Sequence, residues 1–217
     1  MTTVKIIFPY SLFIKIVLQD ICILFFEKLI MQNIEPYFNW RHLYAAEEDA
    51  RSPFYKRTYS EFEYTNQVYN YYIHPQWDEV GSSTIYLKVL FADYEQHYAI
   101  IELIGEWNDA IENDVMTLRR NVTDNLYKQG IYKFLLIGEN VLNFHSSDDS
   151  YYEEWHEQIE EERGWIVLIN LPEQSKHDFK KARITNYVEM VELLQWRTMK
   201  PEIIFGLIDE EMGRRLG

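Results

Sequence analysis

Two apolar, β-branched runs near the middle of the chain predict a β-hairpin. Residues 84–91 (TIYLKVLF) and residues 98–104 (YAIIELI) have the composition of strands, and a mostly polar stretch joins them. Gly105 follows directly and is expected to end the second strand. The chain is then free to enter a helix.

The segment after this hairpin has the periodicity of an amphipathic helix. Asp109 and Glu112 have the spacing of a capping box, and Gly130 is expected just beyond the end of the helix. Apolar residues recur every three or four positions, which places them on one inward face: Ile111, Val115, Leu118, Val122 and Leu126.

Residues 131–137 (IYKFLLI) are apolar almost without interruption, which is typical of a strand buried on both faces of a sheet. A strand, a helix and a second strand predict a right-handed crossover, so this strand should run parallel to residues 98–104. A polar loop over residues 138–149 follows, and Ser150 with Glu153 suggests a capping box for a second helix.

The rest of the chain continues this alternation of strand and helix. Residues 165–171 (WIVLINL) predict another buried strand, and residues 175–181 predict a third helix. Residues 187–194 have helical spacing, whereas residues 183–187 are equally compatible with a short strand; residues 203–208 fit either structure. The predicted fold class is therefore α/β, a mixed β-sheet with helices packed on it.

Composition divides the chain into three segments. Residues 1–30 are the most apolar, but charges near their middle argue against a membrane span. We interpret Met31 as the natural start and residues 1–30 as an upstream extension; the alternatives are a helix packed on the domain and a peripheral membrane contact. Residues 31–80 form a tyrosine-rich arm or β extension, and residues 81–217 form the α/β domain.

The tyrosine-rich arm has two interpretations. Alternation around Phe62 and Tyr64, with a turn at residues 65–67, predicts a hairpin with residues 68–73. The aromatic rings could instead stack on single-stranded nucleic acid, which requires a positive groove. The chain has 35 acidic and 21 basic residues and a net charge of -14, so we expect no nucleic-acid partner.

The sequence lacks the motifs of several common binding and catalytic sites. The only cysteine is Cys22, so the body of the chain has no thiol for a disulfide, a zinc site or a nucleophile, which suits a cytoplasmic protein. Glycine-rich phosphate loops and the Gly-x-Ser-x-Gly elbow are also absent. We therefore expect no cofactor.

The order of elements over residues 84–186, with paired serines before the second helix, resembles a STAS domain, the fold of anti-sigma-factor antagonists. The resemblance covers roughly half of the chain. In that family an Asp-Ser-Ser-Gly signature lies at the start of the second helix. Ser146 and Ser147 align with the serines, whereas His145 replaces the aspartate and Asp148 replaces the glycine.

This resemblance implies a non-catalytic regulatory module that binds a protein partner, such as a kinase or an anti-sigma-like regulator. The implied partner-binding and phosphorylation loop is His145, Ser146, Ser147, Asp148 and Asp149. A phosphate at a helix N-terminus, with a charge of about -1.5 to -2, faces N–H donors and a favourable dipole. Two alternatives stay open: the two aspartates mimic a permanent phosphate, or the serines only cap the helix.

An enzymatic alternative uses the same part of the chain. The acidic and histidine side chains could bind a divalent cation or support acid–base catalysis: His145, Asp148, Asp149, Glu153 and His156. Their spacing matches no known metal motif. We therefore name no metal ligand and no catalytic residue, and the sequence leaves the oligomeric state open.

Overall fold

A computed structural model describes residues 34–69 and 71–216. The interpretation of residues 1–30 and of Met31 lies outside the described residues. Within them, no helix is both long enough and apolar enough to cross a bilayer.

The described chain forms one six-stranded sheet whose strands follow each other in sequence order. Its strands are β3 (Asp78–Glu79), β4 (Ile85–Asp93), β5 (Tyr98–Asn108), β6 (Lys133–His145), β7 (Trp165–Ile169) and β8 (Glu189–Val191). β3, β4 and β5 pair antiparallel, whereas β5, β6, β7 and β8 pair parallel. A separate hairpin joins β1 (Gln67–Val68) to β2 (Tyr71–Tyr72).

Helices of the described chain follow the parallel strands. Helix α1 consists of Asp114–Leu118, a π-helical turn at Arg119–Thr123, and Asp124–Tyr127. The others are α2 (Ser150–Glu160), α3 (Glu173–Lys181) and α4 (Pro201–Leu216), and short 3₁₀ turns lie at Ile184–Asn186 and Trp196–Thr198.

The two faces of the sheet carry different cores, because side chains alternate along each strand. Ile101 and Leu103 of β5 face α1, α2 and α3, whereas Ile100 faces α4. Trp40 of the arm and Trp196 complete the second core. Full burial of such side chains stabilises the fold by roughly 1.5–3 kcal/mol each. Because Trp40 belongs to this core, the arm shares it with the α/β domain.

The structure confirms the predicted mixed α/β fold and its central hairpin. It also confirms that β6 runs parallel to β5. Helix α1 buries four of the five residues of the predicted stripe: Val115, Leu118, Val122 and Leu126. Ile111 is the exception, because it precedes the helix and is 80% exposed. The predicted cap at Asp109 is also wrong, because α1 begins only at Asp114.

Two central strands are longer than predicted. Gly105 does not end β5, because its φ of +118° forms a bulge and lets the strand continue to Asn108. β6 likewise continues to His145 and replaces most of the predicted loop over residues 138–149. This extension buries Val141 and Phe144 beside β5.

The other differences from the predicted elements concern short segments. Neither the predicted helix over residues 187–194 nor a strand at residues 183–187 forms, because β8 (Glu189–Val191) pairs with β7 instead. Residues 203–208 lie within α4. In the arm, residues 61–65 form no strand, so the predicted hairpin with residues 68–73 is wrong, and the described part of the arm has instead the hairpin of β1 and β2.

Candidate functional site

The loop between β6 and α2 lies at the carboxyl end of the parallel strands. β6 ends at His145 and α2 begins at Ser150. Ser146 and Ser147 between them are exposed, as the sequence predicted. In α/β sheets this edge is where ligands and partners commonly bind, and both hydroxyls are open to solvent there.

His145 joins the start of the loop to the end of β5. Its Nε2 lies 2.7 Å from Oε1 of the buried Glu106, and the Nδ2 of Asn108 lies 3.5 Å from the same oxygen. The carbonyl of His145 accepts the N–H groups of Asp109 at 2.8 Å and Ala110 at 3.2 Å. These contacts fix the position from which the serines project.

Asp148 lies one residue before Asp149, the N-cap residue of the second helix, and binds the first helical residue. Its Oδ1 accepts the backbone N–H of Ser150 at 3.0 Å and also the Ser150 hydroxyl. These two hydrogen bonds hold the pKa of Asp148 below its usual value. The predicted capping box with Ser150 as the cap is therefore wrong, since Ser150 is already helical.

The carbonyl of Asp149 makes the first backbone hydrogen bonds of α2. The carbonyl of Asp149 accepts the N–H groups of Tyr152 and Glu153, both at 3.0 Å. The hydroxyl of Ser147 makes only a long contact of 3.5 Å to the Asp148 carbonyl. The Ser147 hydroxyl thus makes no side-chain cap hydrogen bond to α2.

A buried carboxylate beneath the loop ties together the elements that carry it. Asp109 accepts Trp107 Nε1 at 3.0 Å, the Val115 N–H at 2.8 Å and the Tyr152 hydroxyl at 2.5 Å. Burial raises the pKa of Asp109 to about 6, although these hydrogen bonds oppose the shift. This role cannot be read from the sequence, because Val115 and Tyr152 are brought to Asp109 only by folding.

Exposed aromatic and aliphatic side chains lie on the segments next to the loop. The Tyr69 hydroxyl accepts Asn143 Nδ2 at 3.0 Å, which joins the β1–β2 hairpin to β6. The bond from Ala110 to His145 brings Ile111 beside the loop. We define the serine-loop surface as residues 145–149 with the exposed side chains Tyr69, Tyr71, Tyr72, Ile111 and Leu142.

The metal-dependent alternative receives no support. Among residues 34–69 and 71–216, no group of three or more His, Cys, Asp or Glu side chains is placed to hold a metal ion. His145 contacts Glu106, whereas His156 contacts Glu160 at 3.9 Å and packs near Tyr187. The two histidines thus have separate partners, and the acidic loop does not assemble a ligand set.

No family model and no curated protein matches the sequence. Among solved structures, the chain is similar to the anti-sigma factor antagonist SpoIIAA in its unphosphorylated form, with 13% identity and a TM-score of 0.43 over 57% of this chain and 96% of that one. The phosphorylated form of SpoIIAA, a Bacillus cell fate determinant, is 14% identical with a TM-score of 0.39 over 56% and 98% of the two chains.

A putative anti-sigma factor antagonist from Thermotoga maritima is 18% identical, with a TM-score of 0.36 over 46% of this chain and 84% of that chain.

Proposed function

We propose that this protein is a non-catalytic regulatory module that binds a protein partner through the serine-loop surface. Phosphorylation of Ser146 or Ser147 controls that binding. The observation that carries the proposal is the exposed serine pair between the end of β6 and the start of α2. The proposed location is the cytoplasm, in keeping with a chain whose only cysteine is Cys22.

The accessibility of the serines supports modification by a kinase. Ser146 and Ser147 lie in a four-residue connection, and both are exposed. A protein kinase must bring a free hydroxyl to its catalytic base, which an exposed connection between two elements permits. The rigid ends of this connection, at His145 and Ser150, would present the hydroxyls in a defined place.

The charge at the loop explains how a phosphate would act. Asp148 and Asp149 already place two carboxylates at the start of α2. A phosphate of about -1.5 to -2 on Ser147 would repel them and compete with Asp148 for the N–H of Ser150. Phosphorylation would therefore change both the charge and the local hydrogen bonding of the surface.

The exposed rings support a protein as the partner. Tyrosine is enriched in protein interfaces, where a few aromatic residues supply most of the binding energy. Tyr69, Tyr71 and Tyr72 are exposed on the β1–β2 hairpin, and Tyr69 contacts Asn143 of β6. In the proposed complex these tyrosines anchor the partner, and the serines lie within the contact.

Two measurements on protein isolated from the cells that produce it test this proposal. Mass spectrometry should find phosphate on Ser146 or Ser147, and co-purification should identify the partner. Binding of that partner to Ser146→Asp and Ser147→Asp variants should differ from wild type by about tenfold or more, the effect of roughly 1.4 kcal/mol.

The matched control is Thr58→Asp, which adds the same charge at an exposed hydroxyl of the arm. Its binding should equal that of wild type. Protein without phosphate on either loop serine, together with equal binding by all three variants, would contradict the switch. Loss of binding in a Tyr69→Ala variant would still support the interaction surface.

A further inference from the structure

A cavity of about 490 Å³ lies between the arm and β4. Its walls are drawn from residues 35–47, 61–62 and 74–76 of the arm and from residues 88–90 of β4. Small-molecule sites typically have volumes of about 300–1,000 Å³. None of the residues of the serine-loop surface lines this cavity, so the proposed function does not explain it.

Two cations of the cavity wall are already held by carboxylates of the protein. Nη2 of Arg41 donates to Oε1 of Glu47 at 2.9 Å. Nζ of Lys88 is buried, and it lies 3.4 Å from Oδ2 of Asp78 and 3.8 Å from Oε2 of Glu47. Because these two cations and two carboxylates balance each other, the other charges of the wall decide which ligand charge the cavity favours.

Glu35 and Glu61 also line the cavity, and both are exposed. Within the described residues the Glu61 side chain has no ionic or hydrogen-bond partner. Oε1 of Glu35 lies 3.6 Å from Nε2 of His74, but burial lowers the pKa of His74 and so keeps its ring uncharged at neutral pH. The wall therefore carries two carboxylates that no cation of the described chain neutralises.

Two phenylalanine rings of the same wall are open to water. Phe38 is 67% exposed and Phe62 is 84% exposed, although both line the cavity. The face of an aromatic ring attracts a cation, as where the guanidinium of Arg51 lies 3.5 Å from the centroid of the Tyr94 ring.

No cation of the described chain lies over Phe38 or Phe62. Both rings are therefore free to bind a cation from outside the chain. Their apolar surface also favours a ligand with an apolar body, because covering that surface removes it from water.

We propose that this cavity binds a small organic cation, an ammonium ion with an aromatic body. Its charge lies beside the carboxylates of Glu35 and Glu61, and its body covers the rings of Phe38 and Phe62. A cation gains from the carboxylates and the rings together, whereas a neutral molecule of the same shape gains from the rings alone and an anion is repelled. This site is separate from the serine-loop surface and from its phosphorylation.

Three probes with the same ring test the charge of the ligand: 2-naphthylmethylammonium, the neutral 2-naphthylmethanol and the anion 2-naphthoate. Titration calorimetry with the full chain should give a dissociation constant for the ammonium probe at least tenfold lower than for either of the others. Equal or tighter binding of the alcohol or the carboxylate would overturn the assigned ligand class. No binding of any probe would overturn the site.

A double variant, Glu35→Gln with Glu61→Gln, removes both charges and keeps the size of the side chains. It should weaken binding of the ammonium probe about tenfold and leave binding of the alcohol unchanged. The matched control is Glu95→Gln with Glu162→Gln, because these two glutamates are exposed, do not line the cavity and change the net charge by the same amount. Equal effects of the two double variants would contradict the role of Glu35 and Glu61.

Phe38→Ala locates the body of the probe. Loss of this ring should weaken binding of the ammonium probe and of the alcohol, because both use it. The ring is 67% exposed, so the variant should keep its fold, which circular dichroism checks. Equal affinity of Phe38→Ala and wild type for both probes would contradict the proposed position.

Discussion

Asp148 determines how the chain enters α2. Its carboxylate accepts both the N–H and the hydroxyl of Ser150. Asp148 is next in sequence to the candidate phosphorylation site Ser147. A change at either residue is therefore expected to affect the other through the first turn of α2.

Replacement of Asp148 by alanine should lower the free energy of unfolding by about 1 kcal/mol, the usual net contribution of a hydrogen bond such as those that its carboxylate accepts from Ser150. Urea denaturation monitored by circular dichroism measures this change. Ser147→Ala is the control and should stay within about 0.5 kcal/mol of wild type, as most surface substitutions do. Equal stability of Asp148→Ala and wild type would show that the hydrogen bonds from Ser150 to the Asp148 carboxylate do not stabilise the protein.

Glu102 is a buried carboxylate in the middle of β5. Its Oε2 accepts the N–H of Tyr37 at 2.8 Å, and its Oε1 lies 3.6 Å from the guanidinium of Arg197. Burial raises the pKa of Glu102 from 4.5 to about 7, although these two contacts oppose the shift. The group thus joins the arm and the C-terminal segment to the sheet and also titrates near neutral pH.

This raised pKa predicts a pH-dependent stability. Between pH 4.5 and about 7 the folded protein keeps the proton of Glu102 while the unfolded chain releases it. The stabilisation that comes from protonated Glu102 is therefore full below pH 4.5 and is lost as the pH rises to about 7. Its size is at most about 3 kcal/mol.

Urea unfolding of wild type and Glu102→Gln at several pH values measures this contribution. The unfolding free energy of wild type minus that of Glu102→Gln should fall as the pH rises from 4.5 to 7 and stay constant above that range. A difference that does not depend on pH would contradict the raised pKa of Glu102.

Among the secondary-structure elements, β5 depends on one glycine. Gly105 has a φ of +118°, and a Cβ atom built there would lie 2.2 Å from the backbone oxygen of Thr84. Gly105→Ala should therefore destabilise the protein by roughly 2–4 kcal/mol, from backbone strain together with this steric clash. Thermal or urea unfolding measures the loss.

The matched control is Gly206→Ala in α4, where a Cβ atom would meet nothing within 4 Å. Alanine has the higher helix propensity, so this variant should gain roughly 0.5–1 kcal/mol. If both substitutions changed the stability by a similar amount, the bulge at position 105 would not require glycine.

The elements that follow a regular period could be predicted from the sequence. Val115, Leu118 and Val122 recur at helical spacing and are buried on one face of α1. Ile111 continues the same spacing but is exposed, because the chain at Asn113 adopts a left-handed conformation with φ 56° before the helix starts. The period identifies the helix, and backbone conformation at its boundary decides where it begins.

The candidate site could be predicted only in part. The position of Ser146 and Ser147 between a parallel strand and the second helix could be predicted from the order of elements, and both residues are exposed. The hydrogen bond from Tyr152 to Asp109 joins residues far apart in the chain, and so does the contact between Lys88 and Glu47. No local pattern marks such pairs, because the topology of the sheet brings them together.

At the scale of the whole molecule, the arm and the C-terminal segment share one core. Trp40 is buried, its Nε1 donates to the Met199 carbonyl at 3.1 Å, and its ring packs edge-on against Tyr37 and Trp196. Tyr37 in turn contacts the ring of Trp196. Because these rings cover the face of the sheet that also carries α4, the arm and the α/β domain should unfold together.

Trp40→Ala tests this coupling. Removal of a buried aromatic ring costs about 3–5 kcal/mol, and the loss should appear in the unfolding of the whole chain rather than of the arm alone. Far-UV circular dichroism reports on the sheet and helices, and hydrogen exchange reports on the arm. Both should give a single transition at a lower urea concentration than in wild type.

Phe38→Ala, two positions away in the same arm, is the control because its ring is 67% exposed. Its stability should stay within about 0.5 kcal/mol of wild type. If Trp40→Ala instead left the unfolding of the sheet unchanged and increased hydrogen exchange only in the arm, the arm would be an independent appendage.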